Sequence, residues 1–560
     1  MDYYDELVAY IRKNKPSKTQ LNRKKVALCR KHKMAKIPKD IDILLDLTEA
    51  QLKGVKRYLI TKPVRTLSGV AVVAMMAAPR KCAHGTCTFC PGGPQSVFGD
   101  VPQSYTGNEP STMRSIRNNF DSYLIMMNRL QQYICAGHLP EKVEVIVQGG
   151  TFPSYPKKYQ EDYCTGFFQA MNDFSRLFFK KGELDLGKFK KWFNLPADIT
   201  DPAREKWLIK KLLKLKKRKT TLEKEQAKNE KSQIKCVGLT IETNPQYGRL
   251  AHGNFLLRLG CTRIELGVQT LYDKVLWDTN RGHGLDDTIK SIATLRDLGY
   301  KLNFHIMLGL PGVSKRMDQA VFKRLFAEEE YEPDMLKIYP CMVMPGTELF
   351  KDWKKGKFDP MTTKEAAKII AKAKLDIPEY CRIMRVQRDI PTHVTSAGVD
   401  RTNLRQYADK EAERLGIVCK CIRCREVGRS LKKLGKVHYT VREYKAAGGN
   451  EFFIQALAGE ALLGYCRLRF PAKHLRSELK GDVALIRELH VMGEVVGLGD
   501  KGAKGMAQHR GIGKKLMSHA EEIAETYLKS KMVVISAIGT KGYYKKLGYK
   551  KDGVYMSKRL

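Results

Sequence analysis

Apolar positions along this chain follow two rhythms. Between residues 69 and 343 they gather into short runs, rich in β-branched residues: "GVAVVAMMA" (69–77), "KVEVIVQ" (142–148), "CVGLTIE" (236–242), "TRIELGVQ" (262–269), "KLNFHIML" (301–308) and "MLKIYPCMV" (335–343). Stretches with helical spacing separate them. Strands alternating with helices specify βαβ units and a parallel sheet. Six such units predict an α/β domain over residues 66–390, closed into a (β/α)6 partial barrel. After the runs come a cysteine-rich segment, "QGGT" (148–151), "IETNP" (241–245), "GVQT" (267–270), "GLPG" (309–312) and "YP" (339–340). Active sites of βα barrels lie at the C-terminal strand ends, so these residues converge on one mouth.

After residue 390 the rhythm changes. "FFIQALAGEALLGYCRLRF" (452–470) reads as two antiparallel strands joined at Gly459–Glu460, and "DVALIRELHVMGEVV" (482–496) as a longer, interrupted strand. "RGIGKKLMSHAEEIAETYLKS" (510–530) is a helix with a glycine-rich start. "KMVVISAI" (531–538) is a strand, followed by a short helix, "GYYKKLG" (542–548), and a last strand. This is an α+β domain over residues 431–560, joined to the first by a Cys-rich linker, 391–430, that holds "CKCIRC" (419–424).

Two segments are dominated by charge. Residues 1–40 carry 12 Lys/Arg against 4 Asp/Glu, with Val26, Leu28 and Met34 as sparse apolar positions. They predict one or two short basic helices in an N-terminal arm, residues 1–65, that contacts nucleic acid. A basic insert spans about 170–235. Its residues 205–235 hold 12 Lys/Arg against 4 Asp/Glu, and Trp207, Leu208, Leu212 and Leu215 share one helix face that should dock on the domain.

Composition sharpens this picture. The 560 residues exceed one hydrophobic core, and at 43% hydrophobic the chain is not disordered. Its formal net charge of +41 favours a polyanion, above all nucleic acid. The N-terminus lacks the basic-then-apolar order of a signal peptide, and the longest apolar run near a strand, 69–79, is too short to span a bilayer. A cytoplasmic protein with no membrane partner is expected, in which 14 reduced cysteines serve as ligands, nucleophiles or core fillers.

The cysteines of "KCAHGTCTFCPGG" (81–93), Cys82, Cys87 and Cys90, are spaced C-x4-C-x2-C. Zinc sites usually offer four ligands. A 4Fe-4S cluster held by three cysteines leaves one iron open. A three-cysteine loop after the first strand of a βα barrel resembles the radical S-adenosylmethionine superfamily, whose commonest spacing is C-x3-C-x2-C. The resemblance implies that the open iron chelates the amino and carboxylate groups of S-adenosylmethionine, which one electron cleaves to a 5′-deoxyadenosyl radical. It also implies that Gly149 and Gly150 let the backbone approach the methionine moiety, and that Glu242 contacts the ribose or the amino group. A strand-end carboxylate in an ion pair is the plainer reading of Glu242.

"QHRGIG" (508–513) has the form Q-x-x-G-x-G at a helix start, where backbone N–H groups cradle a pyrophosphate. It resembles the acetyl-CoA loop of GNAT-type N-acetyltransferases, which implies cofactor contacts from Gln508, Gly511, Ile512, Gly513 and Lys514. The preceding strand, Glu488, Leu489, His490 and Val491, would face the pantetheine arm. Tyr544, with Tyr543 beside it, would reach the thioester; one of the two is expected to be a core residue.

The two halves together resemble the family of Elongator catalytic subunits and their stand-alone archaeal counterparts. The match runs over almost the whole chain, through "CTFCPGGPQSVFGDVPQSYTGNEPSTMR" (87–114), "TNRGH" (279–283), "RVQRDIP" (385–391), "RELHVMG" (487–493) and "GYYKKLGY" (542–549). The resemblance implies modification of the tRNA wobble uridine at carbon 5. The radical would abstract hydrogen from the acetyl methyl of acetyl-CoA, the carbon radical would add to uridine, and thioester hydrolysis would leave a carboxymethyl group. Lys142 is implied as a barrel-side acetyl-CoA contact with a catalytic role. The water-activating group is open, with His490 and Glu488 as candidates. A tRNA anticodon stem-loop is the expected partner, with an electron donor; homo-oligomers and accessory subunits stay open. Cys381, Cys419, Cys421 and Cys424 could form a structural zinc site, or be reduced core cysteines. Competing functions are a protein lysine acetyltransferase with a structural barrel, a non-enzymatic RNA-binding subunit, and a radical methylthiotransferase.

Overall fold

The computed structural model describes residues 1–62, 66, 68–197, 201–429, 435–492 and 511–560. The chain divides into two compact units. One comprises Met1–Val73, Asp121–Val143 and Tyr163–Cys236; the other comprises Ala74–Phe120, Glu144–Asp162 and Val237–Leu560.

The N-terminal residues of the first unit form a folded helical layer with more helices than the one or two short ones expected. Five helices form: α1 Tyr3–Asn14, α2 Lys18–Lys31, α3 Asp40–Asp46, α4 Glu49–Leu52 and α5 Lys56–Leu59. Ser17 with Gln20 and Thr48 with Gln51 make capping boxes that start α2 and α4. Leu7, Ile11, Leu21, Ile43, Val55 and Leu59 are fully buried in one core. Each helix supplies only a few apolar residues, so no single window announces the core. Each buried aliphatic side chain contributes about 1.5–3 kcal/mol, and five helices pool them.

In the basic insert, the helix Pro202–Lys216 starts at an Asp201 cap and buries Leu208 and Leu212. Trp207 does not share that face; it is 45% exposed. Lys211 lies 4.2 Å from the Trp192 ring and 4.7 Å from that of Trp207. A cation over an indole is favourable without burial.

The barrel sheet has seven strands, one more than expected: β1 Ala71–Met76, β2 Lys142–Gln148, β3 Lys235–Thr243, β4 Arg263–Gln269, β5 Lys301–Leu308, β6 Met335–Pro340 and β7 Arg382–Val386, in sequential order. The pairs from β3 to β7 are parallel. β7 ("RIMRV") hides in the sequence because its charged residues break the apolar run. Every residue of β4 and of β6 is buried, as expected where both faces are covered.

The C-terminal sheet runs β8 Val437–Ala446, β9 Gly449–Ala458, β10 Ala461–Phe470, β11 Val483–Val491, β12 Lys531–Val534, β13 Lys550–Asp552 and β14 Tyr555–Arg559, in the order β8-β9-β10-β11-β12-β14-β13. The edge strand β8 and the split of the last strand into β13 and β14 go beyond the sequence pattern. The helix Ile512–Thr526 covers one face through Ile512, Leu516, Met517, Ala520 and Ala524. The other face carries Arg467, Arg469 and Arg487, all fully buried. They pair with Glu451 and Glu488 of their own sheet and with Asp297 and Asp334 of the barrel domain. A bulge at Arg487, the residue skipped between the pairs Leu468↔Ile486 and Arg467↔Glu488, re-aims this strand. Arg487 then reaches Asp334 with both terminal nitrogens, at 2.8 and 2.6 Å. Among the described residues, no helix is long and apolar enough to cross a membrane.

Candidate active site at the strand ends

The loop after β1 is wound by two tight turns, in which Gly85 N donates to Cys82 O (3.1 Å) and Cys90 N to Cys87 O (2.9 Å). Cys87 and Cys90 are buried and Cys82 is half-buried. Residues 279–283 wrap this loop. Asn280 donates to Thr86 O (2.8 Å), and Thr88 N donates to Thr279 O (3.2 Å). The Arg281 guanidinium donates to Cys87 Sγ (3.3 Å) and to Gly267 O (3.1 Å). A Cβ on Gly282 would sit 2.3 Å from His84 Cβ, so the wrap requires glycine. Cys90 Sγ accepts from Gln103 Nε2 (3.1 Å) and lies 3.3 Å from Ser104 Oγ.

Donors aimed at sulfur suit thiolate ligands. Burial pushes the Cys82 thiol up to about 11, with the Cys90 and Cys87 thiols adding to it. Burial also raises Cys87, and Arg281 opposes it. Coordination to a cation reverses this logic and removes the proton. The three sulfurs do not converge as they would around one ion: among the described residues, the groups with all ligand atoms within 4.8 Å are Cys419, Cys421 and Cys424, and Glu242, Glu265 and His305. Thiols spread around a loop fit a cluster in which each binds its own iron. His84 lies beside the loop with its Nε2 3.5 Å from Cys87 Sγ, and burial, then Arg281, draw its pKa down to about 4; it forms no close four-ligand group with the three thiols.

Gly149 (φ +114°) and Gly150 (φ +82°) end β2 beside this loop. A Cβ on Gly150 would stand 3.6 Å from Cys82 Sγ and 3.1 Å from Gln103 Cβ. Cysteines and glycines line a pocket with about 1050 Å³ of empty space, part of it continuous with solvent. "RVQRDIP" contributes Arg385, Arg388 and Asp389 to it; Arg388 donates to Ser104 O.

The sequence reading named Glu242 but missed the other members of the polar floor of this pocket. Glu242 of β3, Glu265 of β4, His305 of β5 and Lys337 of β6 occupy adjacent strands, Glu242 level with Glu265 and His305 level with Lys337. Both Glu242 oxygens accept: from Gln148 Nε2 (3.0 Å) and from Tyr105 OH (3.0 Å), with Lys337 Nζ at 3.6 Å. Lys337 donates to Glu265, and His305 Nε2 is 3.1 Å from the same oxygen. Burial opposes the Glu265 charge, but Lys337 and His305 hold its carboxyl well below the usual range. Glu265, His305 and Lys337, single polar residues inside apolar runs, gave no local signal of this cluster.

In the C-terminal domain, β11 and β12 pair in parallel only from Val483↔Lys531 to Ile486↔Val534. β12 then ends while β11 continues to Val491, so the strands part where the acetyl-CoA strand was expected. Glu488 bonds Tyr465 OH (3.0 Å) and Arg467 Nε (2.9 Å), while His490 stacks on Tyr465 at 5.6 Å. Leu489 and Val491 turn to the domain core. Gly511 (φ +75°) precedes the helix that starts at Ile512, and a Cβ on Gly513 would lie 2.9 Å from Tyr543 OH. Tyr543 is 41% exposed, whereas Tyr544 is packed in the core. Lys514 is exposed, as is Lys142 at the first residue of β2. Gln508 lies outside the described residues. Cys419, Cys421 and Cys424 come together, but Cys381, fully buried, is not one of that trio.

A parallel half-barrel with a three-thiol loop at its strand ends, two of the sulfurs accepting hydrogen bonds, defines a class. The profile of the Radical SAM superfamily matches residues 200–325 and that of the Radical SAM C-terminal domain residues 333–414. The chain is a radical SAM protein, and that membership implies a 4Fe-4S cluster and S-adenosylmethionine. Residues 3–67 match the ELP3 N-terminal domain. The chain is 41% identical over 532 residues to the tRNA uridine(34) acetyltransferase of Methanocaldococcus jannaschii, covering 93% of this chain and 90% of that one. It is 37% identical to Elongator complex protein 3 of Saccharomyces cerevisiae over 95% of this chain and 90% of that one. The solved archaeal Elp3 of Methanocaldococcus infernus, with an N-terminal deletion, superposes with a TM-score of 0.71 at 35% identity, covering 88% of this chain and all of that one. The chain belongs to the Elongator complex protein 3 family.

Proposed function

We propose that this protein carboxymethylates carbon 5 of the tRNA wobble uridine, using S-adenosylmethionine and acetyl-CoA. One observation carries the reading: three thiols, two of them with donors aimed at their sulfurs, share a pocket with Gly150 after β2, in a chain 41% identical over 93% of its length to a tRNA uridine(34) acetyltransferase. When bound, the cluster and S-adenosylmethionine supply the one-electron chemistry that activates an unreactive C–H bond.

The chain's own residues do the rest. Cys82, Cys87 and Cys90 hold the cluster, and Arg281 and Gln103 stabilise their sulfur charge. Gly149 and Gly150 bring backbone against the methionine moiety, and Glu242, braced by Gln148 and Tyr105, orients S-adenosylmethionine. The parting of β11 from β12 offers the pantetheine arm backbone partners along Glu488–Val491. Gly511, Ile512, Gly513, Lys514 and Gln508 take the pyrophosphate. Tyr543, whose hydroxyl stands over Gly513, faces the thioester more directly than the packed Tyr544. Lys142 contacts acetyl-CoA. Cys419, Cys421 and Cys424 hold a structural zinc. The N-terminal helices and the 202–216 helix bind the anticodon stem-loop through phosphates.

Anaerobic reconstitution followed by incubation with tRNA, acetyl-CoA and S-adenosylmethionine tests this. Nucleoside mass spectrometry should show carboxymethyluridine, lost in Cys87→Ala. Acetylation of lysine peptides without any tRNA product would overturn it.

A further inference from the structure

Barrel interiors are ordinarily filled with branched aliphatic side chains. This one places two carboxylates, an ammonium and an imidazole on four adjacent strands at the base of the cysteine pocket. Buried charge of this kind costs several kcal/mol per ion unless paired, so the cluster calls for a use beyond stability. Its cation is Lys337, which bridges Glu265 and Glu242. With His305 neutral, the group carries one negative charge in excess. Protonating His305 cancels it, across the 3.1 Å contact with Glu265.

His305 is the most accessible member: its side chain is 14% exposed, against 10% for Glu242, 8% for Lys337 and none for Glu265. A carboxylate behind an imidazole fixes its orientation and stabilises the imidazolium, which is the arrangement of a general base. The remaining groups around it are the Tyr339 ring at 5.5 Å, edge-on, and Arg385 of β7, neutralised by Asp389 at 2.8 Å.

We propose that His305, oriented by Glu265, is the catalytic base that removes the proton from uridine carbon 5 after the new carbon–carbon bond forms. This rests on the function proposed above. The C5–H bond breaks and its proton goes to the imidazole. Of the C5–H electron pair and the unpaired ring electron, two restore the C5–C6 double bond. The third leaves to a one-electron acceptor of the iron–sulfur class.

The test compares His305→Gln and His305→Ala with the wild type, following both 5′-deoxyadenosine and carboxymethyluridine. We expect the modified nucleoside to fall about 10²–10⁴-fold while 5′-deoxyadenosine release in the presence of tRNA and acetyl-CoA continues, with imidazole restoring product in His305→Ala. A merely structural role would lower both together, and that result, or unchanged product, overturns the proposal. A readout free of cofactors is tRNA affinity: His305→Gln should bind tRNA as the wild type does, and a lost affinity counts against a role in the chemical step. Wild type that forms no carboxymethyluridine fails the functional reading instead, in the control arm, so the two failures are distinguishable.

Discussion

Asp334 gives the strongest stability prediction. Its fully buried carboxylate meets Arg487 at 2.6 and 2.8 Å, Arg467 at 3.5 Å and Arg296 at 3.7 Å, and accepts the Leu302 N–H at 2.9 Å. Around it Arg296, Arg467, Arg469 and Arg487 balance Asp297, Asp334, Glu451 and Glu488. Asp334→Asn keeps the shape and leaves one guanidinium charge uncompensated. Two unit charges about 4 Å apart attract by about 4 kcal/mol at an effective dielectric of about 20, and breaking a buried pair costs about 3–5 kcal/mol. Denaturant unfolding should therefore show a loss of about 3–5 kcal/mol. The double variant with Arg487→Met should lose less than the sum of the singles, because the orphaned charge goes too. The acid limb carries a second signature. Burial opposes the Asp334 charge, but Arg487, Arg467 and Arg296 hold its carboxyl below the usual range. Its folded value is thus depressed, so its stabilisation is complete above about pH 4, the unfolded value, and fades as pH falls toward the folded one. Asp334→Asn should flatten stability against pH there. A loss under about 1 kcal/mol with an unchanged acid limb would refute the reasoning.

Arg281→Met should leave iron binding intact but lower the potential of the reconstituted cluster, since a hydrogen bond to Cys87 Sγ favours the reduced state; an EPR redox titration reads it. Gly150→Val should weaken cluster assembly, measured as iron content and visible absorbance, because φ +82° costs a non-glycine residue about 1–2 kcal/mol and its Cβ crowds Gln103 Cβ next to Cys82. Cys421→Ala should lose one bound zinc per chain by elemental analysis, whereas Cys381→Ala should keep it, as Cys381 stands outside the thiol trio.

What the sequence determined by itself was local in character. Six barrel strands were legible because an apolar β-branched run bounded by glycine needs no partner to be recognised. The C-x4-C-x2-C loop and "QGGT" were legible because their chemistry lies in spacing and in positive-φ glycines. Tertiary structure decided whatever depended on pooling or pairing distant residues. The N-terminal helices look like a charged arm until five sparse apolar faces meet in one core. β7 looks polar until β6 pairs with it. Tyr543 and Tyr544 are adjacent letters, and only the packing of the helix Lys541–Lys545 sends one inward and leaves the other over Gly513. Glu265, His305 and Lys337 sit singly in three apolar runs, and Arg467, Arg469 and Arg487 are scattered charges in two strand patterns. Burial turned both sets into paired charge, because a charge withdrawn from water is tolerated only where the fold supplies its partner.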